Sequence, residues 1–436
     1  MNPELRRNLW LELTTHRLLA MPALLLLVFG VIAANAGRDW PQAVTSAATW
    51  IFVVVVVFWG SRQAADSVSD EVRGRTWDWQ RMSSLAPWPM AWGKLWGATA
   101  FTWYGGLLCL AAILLASGGM PTPRNTVWLV MALVASGVAM QGAALAASLQ
   151  AARKLSRLGQ RVGTLILAPL AIAALFGFVT ATRGPFEAVT WFAVRWDPVR
   201  FMAVSGVAFA GWSLLAAHRE MSRELQVGRL PWAYLAFIAF LATYVSGFGD
   251  FHSGGMRSAF VIAGLVVSVA LAYYAIFAEH TTAMRLRRLA VHLHARRWRR
   301  FFEELPLWAP ALAAVWMFAI AAVAFPHRFE EDMPARWIGG YPVAVALMVT
   351  RDASILAFFA LAPRARRVEA ATLLYMVLLS YILPMFLDAI GLEAAARLFL
   401  PSGMGSWPAA GILAMHAAIA AGLLAWRWRR QQRTYN

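Results

Sequence analysis

The chain is punctuated by about twelve mostly apolar runs, each close to the ~20 residues that a helix needs to cross the hydrocarbon core of a bilayer. They lie near 18–36, 43–60, 95–117, 127–150, 162–182 and 199–217, and then near 232–249, 258–279, 306–326, 340–362, 369–390 and 407–426. Charged residues, proline or glycine close each run, and no connecting segment is long enough for a further soluble domain. A bilayer core offers no water to backbone amides and carbonyls, so such runs fold as helices that satisfy those groups internally. The expected fold is therefore all-α, a polytopic transmembrane helical bundle. Only 14% of the residues are charged, against roughly a quarter in soluble domains, too few to cover a water-facing surface.

The net charge of +17 does not point to nucleic acid. Its basic residues come in short clusters between the spans, not on one continuous face with a recognition motif. Arginine and lysine concentrate on the cytoplasmic side of membrane proteins. With a cytoplasmic N-terminus and alternating spans, about 29 basic residues fall inside and about 9 outside. Both termini are then cytoplasmic. Ala34-Asn35-Ala36 resembles a signal-cleavage site, but with so many spans following it, the first helix is read as a retained anchor. Residues 1–17 read as an interfacial helix leading into that anchor. The single cysteine, Cys109, excludes an intrachain disulfide, and its place in an apolar run reads as a small buried residue and not as a metal ligand.

The spans fall into two six-helix pseudo-repeats, residues 1–225 and 226–436, alike in order and spacing more than in residue identity. Each half has a long cytoplasmic segment after its second span, 61–94 and 280–305. Each also has a short basic loop after its fourth span, at Arg153 to Arg157 and at Arg364 to Arg367. The two long segments end alike, in Leu85-Ala86-Pro87-Trp88 and Leu305-Pro306-Leu307-Trp308. Internal repeats of this kind are a common way to build transporters.

The first of these segments mixes acids, bases and large aromatics. Its order is Glu71, Gly74, Thr76 and Trp77, then Leu85 and Pro87, with Gly93-Lys94 opening the third span. That order resembles the permeases of ABC-2 type (type V exporter-like) transporters. The run from Gln141 to Leu149 and Gly163-Thr164-Leu165 resemble the fourth and fifth spans of the same family. The family often has Gly and Thr adjacent, whereas Arg75 separates them here. The resemblance covers the first half; the second half follows it in topology alone.

The resemblance implies that 61–94 carries a coupling helix which docks on a nucleotide-binding subunit, through Glu71, Gly74, Thr76, Trp77, Leu85, Pro87 and Lys94. It further implies that six-span permeases work in pairs. Two units fused in one chain would form a complete pathway, an exporter binding two copies of an ABC ATPase in the bacterial inner membrane. ATP and Mg would be held by that ATPase. No cofactor is expected on this chain itself, where Trp88 stands at the first Gly that a phosphate loop ending at Gly93-Lys94 would need. Zinc-protease and hydrolase motifs are missing too, so a permease and not an enzyme is expected.

The second segment, 280–305, lacks the Glu-x-x-Gly-x-Thr order. It sets Leu286, Leu289, Leu293, Trp298, Phe301 and Phe302 at helical spacing among Arg285, Arg287, Arg288, Arg296, Arg297, Arg299 and Arg300. Two readings stand for it: a second, diverged coupling segment using Arg296, Arg297 and Arg300, or a helix lying on the membrane surface. Inside the spans ionisable residues are few. Arg351 and Asp352 in the tenth span, Asp388 in the eleventh and His416 in the twelfth form a candidate intramembrane polar site. Two other functions remain open: a secondary transporter coupled to an ion through that site, or a diverged scaffold subunit that does not transport.

Overall fold

In the computed structural model, which describes residues 2–83, 85–118, 124–158, 188–228, 230–249, 255–279, 281–324, 342–362, 368–399 and 406–435, nearly every element is helical. Among the described residues, eight helices are long and apolar enough to cross a membrane, or nine if the bent pair Trp298–Glu304 and Trp308–Ala324 counts as one span. The expected span at 162–182 and the basic loop at Arg364 to Arg367 lie outside the described residues. Leu26, Leu115, Ile320 and Met385 point outward on their helices. In water, so much contiguous apolar surface would drive aggregation, whereas lipid accepts it. The architecture is that of a multi-pass membrane protein.

The chain divides into two compact units: Met1–Thr190 with Val194–Arg229, and Trp191–Ala193 with Leu230–Asn436. The first opens with α1 (Pro3–Glu12), where Asn2 caps the N-terminus by accepting from the Glu4 N–H at 3.0 Å. The apolar stretch Thr15–Arg73 then runs for 59 residues. Straight, it would reach about 88 Å at 1.5 Å per residue. A Cβ at Gly105 would nevertheless touch both Met21 and Val55. The chain therefore doubles back, at Gly37 with φ +56°, and α2 (Thr15–Ala36) runs antiparallel to α3 (Trp40–Phe52). Such a φ suits a residue without a Cβ.

From α3 the helix passes through a π-helical segment, Val53–Trp59, into α4 (Gly60–Arg73). A π segment leaves backbone groups out of the α ladder. Here the buried Gln141 of α8 (Arg124–Leu158) answers one of them. Its Nε2 donates to the Val56 carbonyl at 2.9 Å, and its Oε1 accepts from Trp103 Nε1 at 2.8 Å. The unit continues through α5 (Trp77–Arg81), α6 (Pro87–Ala98) and α7 (Ala100–Ser117), and ends with α9 (Pro198–Glu224). Its core has one cluster around Ala64, Val68, Trp77, Met90, Leu145 and Met221, and another around Phe52, Val56, Ile113 and Leu133. A small hairpin of two three-residue strands, Val189–Trp191 and Val194–Trp196, precedes α9.

The second unit begins with α10 (Trp232–Ser246), a helix of 15 residues, and α11 (Gly255–Ala278). The amphipathic α12 (Ala283–His294) and the short α13 (Trp298–Glu304) lead into α14 (Trp308–Ala324). Gly264 of α11 receives the Phe318 ring of α14 so closely that a Cβ there would lie 2.2 Å from it. Small residues let membrane helices approach in this way. Then follow α15 (Pro342–Ala360), α16 (Val368–Val377), a π-helical segment at Leu378–Ile382, α17 (Leu383–Ala389), α18 (Glu393–Phe399) and the long α19 (Ser406–Tyr435), which packs along α15.

Candidate functional site

The 61–94 segment is an elbow whose bend is set by backbone geometry. Helix α4 ends on Gly74, and Arg75 takes the left-handed conformation at φ +57°. The Thr76 N–H donates to the Glu71 carbonyl at 2.9 Å and the Arg75 N–H to Val72 at 3.3 Å. This pair of bonds terminates a helix in the Schellman manner. Gly74 itself is right-handed, so the glycine that carried the resemblance stands one residue before the position that would use its freedom. An L-residue pays about 1–2 kcal/mol for that conformation, and glycine loses part of this through its freer unfolded chain. Arg75→Gly should therefore stabilise the first unit by about 0.5–1 kcal/mol. Thermal unfolding in lipid nanodiscs should register it as a small rise.

Inside the elbow sits a buried ionic network. Lys94 of α6 is 1% exposed. Its Nζ pairs with Glu71 of α4, lies 3.5 Å from Glu4 Oε1 of α1, donates to the Ser67 carbonyl at 3.4 Å, and stands 5.1 Å from the centre of the Trp77 ring. Arg7 bridges the two acids, at 3.1 Å from Glu4 and 2.8 Å from Glu71. Gln80 adds a donor to Glu71 at 2.5 Å. A buried ammonium is tolerated only when paired and hydrogen-bonded in this way. Trp77 Nε1 donates to Glu224 Oε2 at 3.4 Å, and Arg81 Nε to the Glu224 carbonyl at 3.2 Å, which ties the end of α9 to the elbow.

Helix α1 reaches this network because α6 offers it two glycines. A Cβ on Gly93 would lie 2.7 Å from Glu4 Cβ, and one on Gly97 would lie 2.6 Å from Asn8 Cβ. The N-terminal helix, expected at the interface, is thus seated on α6 with Glu4 buried, while Trp10 and Leu11 stay exposed. Gly93→Val should lift α1 away by overpacking. Amide exchange across residues 3–12 should then rise by about tenfold or more.

Of the expected coupling residues, Glu71, Trp77 and Lys94 meet in the network and Thr76 holds the turn. Leu85 packs on the surrounding core, and Pro87 starts α6 at a position where its missing N–H costs nothing. These residues shape the elbow more than they cover it. Its outer surface is made by Trp79, 75% exposed, and Met82, beside Asp70, Arg73 and Asp78. Glu4, Arg7, Gln80 and Glu224 were missed. Only the cluster of charge in Glu4-Leu5-Arg6-Arg7 hinted at the first two.

The second elbow repeats the backbone of the first. Helix α12 ends in Arg296 at φ +52°; the Arg296 N–H donates to Leu293 at 3.1 Å and the Arg297 N–H to His292 at 2.9 Å. In each elbow a left-handed arginine is followed, two residues later, by the tryptophan that opens the short helix: Arg75 and Trp77, Arg296 and Trp298. The ionic wiring differs. Arg285 pairs with Glu279 at 2.8 Å and donates to the Glu304 carbonyl at 2.7 Å, and Arg288 pairs with Glu304 at 3.2 Å. Arg296, Arg297 and Arg300 are exposed.

The intramembrane candidates divide. Arg351 and Asp352 are both buried and pair directly, Nε to Oδ1 at 2.8 Å. Adjacent residues point about 100° apart on a helix, yet the long Arg351 side chain folds back far enough to close the pair. Tyr273 Oη of α11 donates to Asp352 Oδ2 at 2.8 Å, and Arg351 donates to Ser380 Oγ, inside the π-helical segment, at 2.9 Å. Tyr273 and Ser380 were not expected. Asp388 lies exposed near the end of α17, outside this cluster, and His416 sits half-buried with its ring 5.9 Å from that of Phe399. The cluster bonds one π segment through Arg351, as Gln141 bonds the other. No family model, curated protein or solved structure matches the chain.

Proposed function

We propose that the chain is the membrane-spanning permease of an ABC transporter, working as an exporter in the bacterial inner membrane and driven by an ATPase on another polypeptide. The observation that carries this reading is the first elbow. Residues that resemble the ABC-2 pattern form one rigid unit there, with Trp79 and Met82 left bare on its outside. An exposed aromatic beside a thioether and mixed charges suits a protein interface. Force applied to this elbow would reach the spans directly, because Lys94 starts the third, Glu71 extends the second, Glu224 ends the sixth and Glu4 leads into the first. About twelve spans with both termini in the cytoplasm, by the charge bias, complete the proposal.

Purification from its native membrane should bring down a soluble ATPase carrying a phosphate loop. Trp79→Ala with Met82→Ala should weaken that association by about a hundredfold, the usual scale for two interface anchors. Full transport by the chain alone, with no such subunit and no ATP, would overturn the proposal. An ion-coupled transporter, resting on the Arg351 cluster, would instead respond to a proton or sodium gradient.

A further inference from the structure

The second elbow has the backbone of the first and the opposite surface chemistry. In the first, Asp66, Asp70, Glu71 and Asp78 nearly balance Arg62, Arg73, Arg75, Arg81 and Lys94. In the second, Arg285, Arg287, Arg288, Arg296, Arg297, Arg299 and Arg300 outnumber Glu279, Glu303 and Glu304. The geometry points to this elbow being an anionic-lipid anchor, not a second dock for a soluble partner.

Three observations carry it. Arg299 pairs with Glu303 at 3.1 Å, and the other six arginines divide into two groups. Arg285 and Arg288 are taken up by Glu279 and Glu304, and Arg287 donates to Gln431 Oε1 of α19 at 3.0 Å, so these hold α12 to its own unit. Arg296, Arg297 and Arg300 are exposed and have no side-chain partner among the described residues. Second, bulky apolar groups stand exposed among the cations: Met284, Val291, Leu293, Trp298 and Phe302. Water penalises that mixture, whereas the headgroup region takes the apolar groups into its acyl edge and the guanidinium groups onto its phosphates. Third, α13 meets the spanning helix α14 at 95°. A segment perpendicular to a span, at the end of that span, lies parallel to the bilayer plane.

The ligand chemistry is thus a phosphate-bearing anionic bilayer surface, with Trp298 and Phe302 in the acyl boundary and Arg296, Arg297 and Arg300 on the headgroups. Each basic residue near such a surface contributes enough that losing three lowers occupancy by about a hundredfold.

The test uses the full chain with Cys109→Ala and Trp298→Cys, labelled with bimane, an aromatic fluorophore that replaces the indole. It is reconstituted in vesicles of phosphatidylcholine alone or mixed with phosphatidylglycerol. With phosphatidylglycerol the label should be quenched by spin-labelled lipid and shielded from aqueous iodide. Arg296→Gln, Arg297→Gln and Arg300→Gln together should restore iodide access in the same vesicles. Iodide quenching that is equal in both lipid mixtures would overturn the inference. So would shielding that appears in pure phosphatidylcholine only when a soluble partner is added, or an identical lipid response from a Trp79→Cys label on the first elbow. Because it needs no ATPase, the experiment fails or succeeds independently of the proposed transport function.

Discussion

Lys94→Met should destabilise the first unit by about 3–5 kcal/mol, the cost of removing one partner from a buried ion pair. Glu71 and Glu4 would be left in the elbow with Arg7 as their one cation partner among the described residues, and Trp77 would lose the charge above its ring. Thermal unfolding in nanodiscs should show a clear drop, and exchange should rise in α1 and α5 before it rises in the spans. The double variant Lys94→Met with Glu71→Leu should recover much of the loss, because the one acid then left in the network, Glu4, keeps Arg7 at 3.1 Å as its partner and no buried charge stands unpaired. If the single variant unfolds like the parent, the network is not what holds the elbow together. Under the proposed function, ATP-driven transport should fall more than stability does, since the elbow would no longer pass force from α4 to α6.

Arg351→Met should have a comparable effect on the second unit, about 3–5 kcal/mol. Asp352, 1% exposed, would keep only the Tyr273 hydroxyl, and Ser380 would lose its donor in the π segment. Charged groups in the hydrocarbon region have no water to fall back on, so the carboxylate must protonate or the helices must part. Adding Asp352→Leu should restore a good part of the stability. A refolded double variant also separates structure from transport: with stability regained, unchanged substrate movement would assign the cluster to packing α15 against α11 and the π segment. A lasting transport defect would place it on the pathway.

Much of the fold was legible in the sequence because a membrane imposes a local rule. A helix must be apolar for about 20 residues to cross, and that can be counted along the chain. Both elbows were legible for the same reason, as charged segments between countable spans. The turns inside them were not. The left-handed residues are Arg75 and Arg296, where composition would have chosen Gly74 for the first and offered no glycine for the second. Tertiary packing overrode a preference worth about 1–2 kcal/mol.

The candidate sites show the same division. Glu71 and Lys94 were singled out by order along the chain, and they do meet. Their partners Glu4 and Arg7 lie far off in sequence and could be seen only once Gly93 and Gly97 were known to admit α1. Likewise Arg351 and Asp352 were conspicuous as charges in an apolar run, while Tyr273 and Ser380 were ordinary polar residues of other helices. Asp388 was as conspicuous as either and lies apart from them, because charge in an apolar run marks a constraint without saying what answers it.

By itself the sequence determined that this chain lives in a bilayer, that it is helical, and where its two charged elbows lie, since each of these follows from the free energy of short contiguous segments in lipid or water. The tertiary structure alone decided what those elbows are made of. It closed one over a buried lysine and left the other with bare arginines beside bare aromatics. Those outcomes depend on which distant side chains share a low-dielectric space, where a charge is stable only next to its partner and the partner can come from anywhere in the chain.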